Sequence, residues 1–300
     1  MTYSIVARDP DSGQFGVAVQ TCWFSVGAIV PWAVAGVGAV ATQAMVEVAY
    51  GPRCLDKLDA GADAGRSLDE ARAEDDGSAV RQVAVVDSAG GVSAFTGASC
   101  IDYAGHHTGD GYSVQANMMA SADVWPAMAD AYETSTGSFP ERLLGALRAG
   151  ERAGGDARGR MSAAMLIVKG ARQSHPWEGK VVDVRVDHDD QPLDELGRLL
   201  VVADAFEQID RGEEALFGGD PVSALREVES ALGRLPGDEN ARFLRAGALI
   251  YSGRSDAGLD ELRSLMAARP SWGIVIRSFA AKELLRLPDG VDVDELTAGP

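Results

Sequence analysis

Residues 12–46 contain no charged side chain. Turn-forming residues interrupt the run at Gly13, Gly27, Pro31, Gly36 and Gly38. The run therefore reads as short buried strands, although residues 26–46 alone would be long enough to span a bilayer. Residues 2–8 read as a strand, Asp9-Pro10-Asp11-Ser12-Gly13 as a tight turn, and residues 15–21 as a second strand. A further buried strand is expected over 36–42, where glycines would let another backbone approach closely. Strands are also expected at 81–87, 91–96, 112–117, 162–168 and 181–186. Helices are expected at 50–58, from Ser67 (with Glu70 completing a capping box), at 121–134 capped by Ser121, and at 139–149 capped by Ser138. Strands, helices, strands, helices, strands is an α+β order, in which helices are segregated from the sheets that they cover.

After Pro192 the pattern is helical only. Gly219-Asp220-Pro221-Val222-Ser223-Ala224-Leu225 aligns with Gly253-Arg254-Ser255-Asp256-Ala257-Gly258-Leu259 at an offset of 34 residues. Val228 and Leu262, Ala231 and Leu265, and Pro236 and Pro270 keep the same offset. This period, with Gly between helices and Pro at the end, resembles tetratricopeptide repeats. The expected division is residues 1–190 as the α+β domain and 191–300 as a small helical domain. The latter either packs on the first domain or makes a dimer interface, or else offers its groove to a peptide or protein partner.

An apolar fraction of 46% supplies a sizeable core. A net charge of −18 argues against nucleic-acid and membrane-surface partners, whose phosphates such a surface repels. Three cysteines, Cys22, Cys54 and Cys100, show no metal-like spacing and fit a reducing compartment. With no basic and apolar leader visible, the expectation is a cytoplasmic protein. His106-His107 with Asp110 would be poor metal ligands on a strand, because neighbours there face opposite ways. Neither metal nor cofactor is expected.

Thr2 is the residue with chemistry of its own. It is small enough for methionine aminopeptidase to remove Met1 ahead of it. A free Thr2 would carry a hydroxyl nucleophile and an α-amine of pKa about 7.7–8.0, able to accept the hydroxyl proton directly or through one water. Because Thr2 opens a strand, both groups would be held in place. Attack on an amide would give a tetrahedral oxyanion and then an acyl-threonine ester, which water would hydrolyse.

On these residues the chain resembles the N-terminal nucleophile (Ntn) hydrolases, the superfamily of the proteasome β-subunits. Gly16-Val17-Ala18-Val19 is similar to their second strand. Gly36-Val37-Gly38 falls where they place an oxyanion-binding glycine. Arg158-Gly159-Arg160-Met161-Ser162-Ala163 is similar to their Arg-Asp-x-x-Ser-Gly segment, whose Ser supports the terminal amine. More closely, Thr-Tyr-Ser-Ile-Val-Ala-Arg-Asp-Pro at the start, Val30-Pro31-Trp32 and Gly155-Asp156-x-Arg158-Gly159 resemble an uncharacterised bacterial Ntn-like family of unknown function, over about residues 1–190. Its members often carry a C-terminal segment labelled peptidoglycan-binding.

The resemblance implies a four-layer αββα sandwich and a homo-oligomer, most simply a dimer. It makes Thr2, Ser162, Gly36, Gly38 and Asn117 the catalytic candidates, Asn117 as an oxyanion donor. Trp23, Phe24 and Gln43 are the substrate-binding candidates. The usual Asp and Lys of the proteasome site are missing: Thr21-Cys22 and an uncharged run stand in their places. A substitute charge would come from Arg8, Asp9, Asp156 or Arg158. The expected activity is cleavage of a small amide or peptide-like substrate. The alternative is a non-catalytic protein of the same fold that binds partners through its helical repeats.

Overall fold

The computed structural model describes residues 2–298. It is mixed α and β, with antiparallel sheets and ten α-helices among the described residues. It divides into residues 1–200 and 201–300, and the division falls within one helix.

The first unit holds two sheets. The larger uses β1 (Thr2–Arg8), β2 (Phe15–Thr21), β7 (Gly105–Gly109), β8 (Tyr112–Asn117), β9 (Ser162–Val168) and β10 (Lys180–Val186), in the order β10-β9-β2-β1-β8-β7. The smaller uses β3 (Pro31–Val34), β4 (Gly38–Ala44), β5 (Arg81–Asp87) and β6 (Val92–Thr96), in sequence order. The uncharged run thus becomes β2, β3 and β4. No helix among the described residues is long and apolar enough to cross a membrane.

Side-chain alternation explains the layering. On β1, Tyr3, Ile5 and Ala7 pack against α3 (Val124–Thr134) and α4 (Phe139–Arg152). Val6, Val17 and Val19 face the smaller sheet, meeting Ala39, Ala41, Ala84 and Val86. On the other face of that sheet, Val40, Val83 and Val85 pack against α1 (Tyr50–Asp59) and α2 (Ala64–Ala73). Gly16 is held small by α4: a Cβ there would lie 2.6 Å from Leu143 Cδ1.

Some elements depart from expectation. β3 and β7 add strands to the predicted set. β3 starts at Pro31, read from the sequence as an interruption of the uncharged run, and β7 (Gly-His-His-Thr-Gly) is polar and half-exposed with no apolar alternation to mark it. Ser67 is not a cap. Asp63 caps α2 by accepting the Arg66 N–H, while Ser67 is buried inside the helix and donates to the Cys54 carbonyl at 2.9 Å. Ser121 also lies outside its helix, bonding the Asp123 N–H at 3.0 Å. Ser138 does cap α4, with Glu141 bonding back to its N–H at 2.8 Å.

The second unit is helical. The later part of α5 (Pro192–Phe217) packs with α6 (Pro221–Arg234) and α7 (Glu239–Tyr251) around Ala205, Ile209, Val228 and Leu244. α8 (Ser255–Ala268) and α9 (Trp272–Ala281) share a second cluster with Phe243, Leu262 and Ile276, and α10 (Val293–Thr297) ends the described chain. The 34-residue spacing is visible here: α6 and α8 start at Pro221 and Ser255, and Gly219 and Gly253 both have φ +83°. Only glycine adopts that left-handed conformation at little cost.

The β1–β2 turn is locked onto α4. Asp9 accepts from Ser12 N at 3.0 Å and pairs with Arg142. Burial alone would raise the Asp9 carboxyl, but the bonds from Ser12 and Arg142 outweigh it and hold it below the usual carboxylate range. A depressed folded-state pKa adds stability that is present above the unfolded value of about 3.9 and is lost as pH falls through the folded value. Asp9→Asn is therefore expected to lower Tm at pH 7. Thermal melts across pH should show the gap to wild type narrowing below about pH 4.

Candidate active site

The space between the two sheets is apolar at one end and polar at the other. Alternation directs Thr2, Ser4 and Val6 into it from β1, Ser113, Gln115 and Asn117 from β8, Gln43 from β4 and Gln82 from β5. Gln43, Gln82, Gln115 and Asn117 are all essentially excluded from solvent. Four buried amides cost stability unless they satisfy one another.

They do so around the first residue of β1. The Thr2 carbonyl accepts from Gln43 Nε2 at 3.1 Å and from Asn117 Nδ2 at 3.2 Å. The same two amides donate to Gln82 Oε1, at 2.7 and 2.9 Å. Gln82 Nε2 then donates to the Ala116 carbonyl at 2.9 Å, across to the larger sheet. Ser4 Oγ donates to Gln43 Oε1 at 2.6 Å and accepts from Gln115 Nε2 at 2.5 Å. Thr2 is thus held by its own carbonyl, through a network that ties both sheets together.

The Thr2 side chain lines a cavity of about 370 Å³. Thr2 Oγ1 lies 3.2 Å from Thr21 Oγ1, its neighbour on β2. The walls are largely apolar, with Trp23, Val26, Ile29, Val30, Met45 and Met118, and two cations, Arg81 and Arg158, also reach the cavity. Ala44 and Met118, both lining residues, have φ of 70° and 59°. Non-glycine residues in that region carry strain, which tends to collect at functional sites.

A carboxylate positions each of the two cations. Asp156, its side chain fully enclosed, accepts from Arg158 N at 2.9 Å, pairs with Arg158 Nη2 at 3.2 Å and takes the Cys22 N–H at 3.0 Å. Asp75 pairs with Arg81 Nε at 2.9 Å, and Arg81 Nη1 donates to the Met45 carbonyl at 2.5 Å. The hydrogen bond from Arg81 is the main reason that the Asp75 carboxyl sits below the usual range.

Of the residues proposed from sequence, Thr2, Gln43 and Trp23 meet at this cavity. Phe24, next to Trp23, is exposed and does not line it. Four catalytic assignments need correction. Gly36 and Gly38 sit at the far end of β4 from Gln43, where the Gly36 N–H donates to Lys169 O at 3.2 Å, so neither can serve an oxyanion at Thr2. Asn117 spends its amide hydrogens on Thr2 O and Gln82, which makes it a clamp on the strand and not an oxyanion donor. Ser162 stands opposite Thr21, donates to Trp23 O at 2.5 Å and accepts from Val26 N at 3.1 Å. It fixes the cavity wall in place of the Thr2 amine. Met1, whose removal the chemistry needs, lies outside the described residues.

Of the substitute charges, Arg158 with Asp156 is at the site. Arg8 and Asp9 are at the other end of β1. Arg81, the first residue of β5 (Arg-Gln-Val-Ala-Val-Val-Asp), was not singled out from the sequence because it carries no motif. Among the described residues no three metal-ligating side chains converge, and Cys22, Cys54 and Cys100 are free thiols. His106 meets Thr96 Oγ1 at 2.8 Å, and burial lowers its pKa.

Gln82 carries more of the network than any other side chain. Gln82→Ala removes its bonds with the Gln43 and Asn117 amides, which keep the Thr2 carbonyl, and its bond to the Ala116 carbonyl; each lost bond is worth about 0.5–1.5 kcal/mol. Urea unfolding should show a loss of about 2–4 kcal/mol, from the three bonds together.

The chain belongs to a family whose function is not known: residues 2–196 match the Family of unknown function (DUF1028). The match contains every residue of the cavity. A crystal structure of a Silicibacter pomeroyi protein, also DUF1028, is similar, with 32% identity, a TM-score of 0.61, and coverage of 67% of this chain and 88% of that one. No curated protein matches. Membership of a family of unknown function agrees with the sequence reading.

Proposed function

We propose that this chain is an Ntn-type amidohydrolase that cleaves a small amide or peptide-like substrate through an acyl-Thr2 intermediate after Met1 is removed. The observation that carries the reading is Thr2 itself: the first residue of β1, clamped by its carbonyl and turned into a cavity of about 370 Å³. The two facing sheets, with α1 and α2 outside one and α3 and α4 outside the other, support the four-layer αββα arrangement of that superfamily.

In the proposed reaction Thr2 Oγ1 attacks the amide carbonyl carbon while its proton passes to the Thr2 α-amine. The tetrahedral species collapses, the amine returns the proton to the leaving nitrogen, and the C–N bond breaks. Water then attacks the ester by the same route, releasing the carboxylic acid and restoring Thr2. Arg158, held by Asp156, supplies positive charge where proteasome sites use Lys, and a nearby cation favours the neutral, proton-accepting amine.

A second reading is a non-catalytic protein that binds partners through its helical unit. It draws on the 34-residue spacing of α6 and α8, which is tetratricopeptide-like.

Intact-mass spectrometry of untagged protein is expected to show loss of Met1, and Thr2→Ala to abolish turnover of an amide library. Retained Met1 in the native protein, or a Thr2→Ala variant as active as wild type, would leave only the binding reading.

A further inference from the structure

Arg81 brings a guanidinium into a cavity whose other walls are mostly hydrocarbon, in a chain with 27 basic and 45 acidic residues. Burying such a group against apolar walls costs free energy unless charge and hydrogen bonds compensate it. Asp75 and the Met45 carbonyl supply part of this and fix the plane of the group through Nε and Nη1. A guanidinium has five N–H donors arranged as a fork that fits a carboxylate.

The topology separates this cation from the apolar wall. Arg81 pairs with Ala44, on the β5 side of β4. Val30 lies on the β3 side, its carbonyl accepting from Thr42 N at 3.2 Å. The two flank the end of β4 that carries Gln43, about 10 Å apart at two strand spacings. Val26, Ile29 and Trp23 continue the apolar side. A ligand lying across Thr2 would therefore meet hydrocarbon at one end and a cation at the other.

We propose that the cavity takes an amphipathic amide with a free carboxylate, an N-acyl amino acid in chemical class. The apolar acyl group would lie against Val26, Ile29 and Val30, and the carboxylate on Arg81. The scissile amide would then fall between them, over Thr2. This assignment rests on the hydrolase reading for its chemistry but not for its binding.

The test uses N-octanoylglycine and its methyl ester as probes. Binding is measured by calorimetry on the full-length Thr2→Ala protein, which cannot turn them over. The acid is expected to bind about tenfold or more tighter than the ester, as a lost charge-assisted pair would give. Adding Arg81→Met should remove that preference, and Arg81→Lys should restore part of it. The acid–ester comparison needs no Arg81 variant, so it stands even if Arg81→Met does not fold. Equal affinities for the two probes, or no binding of either, would overturn the proposal.

Labelling of wild-type Thr2 by a β-lactone separates the two claims. Labelled Thr2 without acid preference overturns the carboxylate site alone. Acid preference with unlabelled Thr2 keeps that site and removes the hydrolase reading.

Discussion

The Thr2 carbonyl, held by two buried amides, is the constraint on which the rest of the site depends. Gln43 comes from one sheet and Asn117 from the other, and Gln82 links them. Filling the inter-sheet space with hydrocarbon would be simpler, and the other end of the same space does so with Val6, Val17 and Ala84. A fully satisfied polar network rigidifies its surroundings and fixes one arrangement of them. Here that rigidity is placed under the one residue that could carry a nucleophile and its own base. Such fixing is what an acyl-transfer reaction needs, since reacting groups held in geometry remove much of the entropic part of the barrier.

Around that fixed point the cavity is built in layers. Ser162 anchors the Trp23–Val26 segment, Asp156 anchors Cys22 and Arg158, and Asp75 anchors Arg81. None of these three anchors lines the cavity, yet each sets a group that does. The strained backbone at Ala44 and Met118 belongs to the same rim. The cavity is not without charge: Arg81 and Arg158 arrive from different elements, each paired with its own carboxylate.

Much of the fold was legible in the chain. β1, β2, β8 and β9 match their expected bounds, because each is an apolar or alternating run bounded by turn residues or polar segments. The site was legible only in part. Thr2, Trp23 and Gln43 were singled out and do meet. The oxyanion glycines, Asn117 and Ser162 were placed by analogy with a motif, and the structure gives them other work. A motif fixes the order of residues along a strand, but which end of β4 meets Thr2 depends on sheet packing. Arg81 left no local trace, since its role comes from β5 lying beside β4. The polar network could have been suspected: period-2 alternation puts Gln43, Gln82, Gln115 and Asn117 on inward faces, where an isolated amide would be costly.

A crystal structure of untagged protein soaked with an acyl-type boronic acid would test the central claim most directly. Boron is expected bonded to Thr2 Oγ1 inside the cavity, with Met1 absent and the Thr2 α-amine within hydrogen-bond distance of the adduct. An intact Met1 with the cavity free of boronate would contradict it.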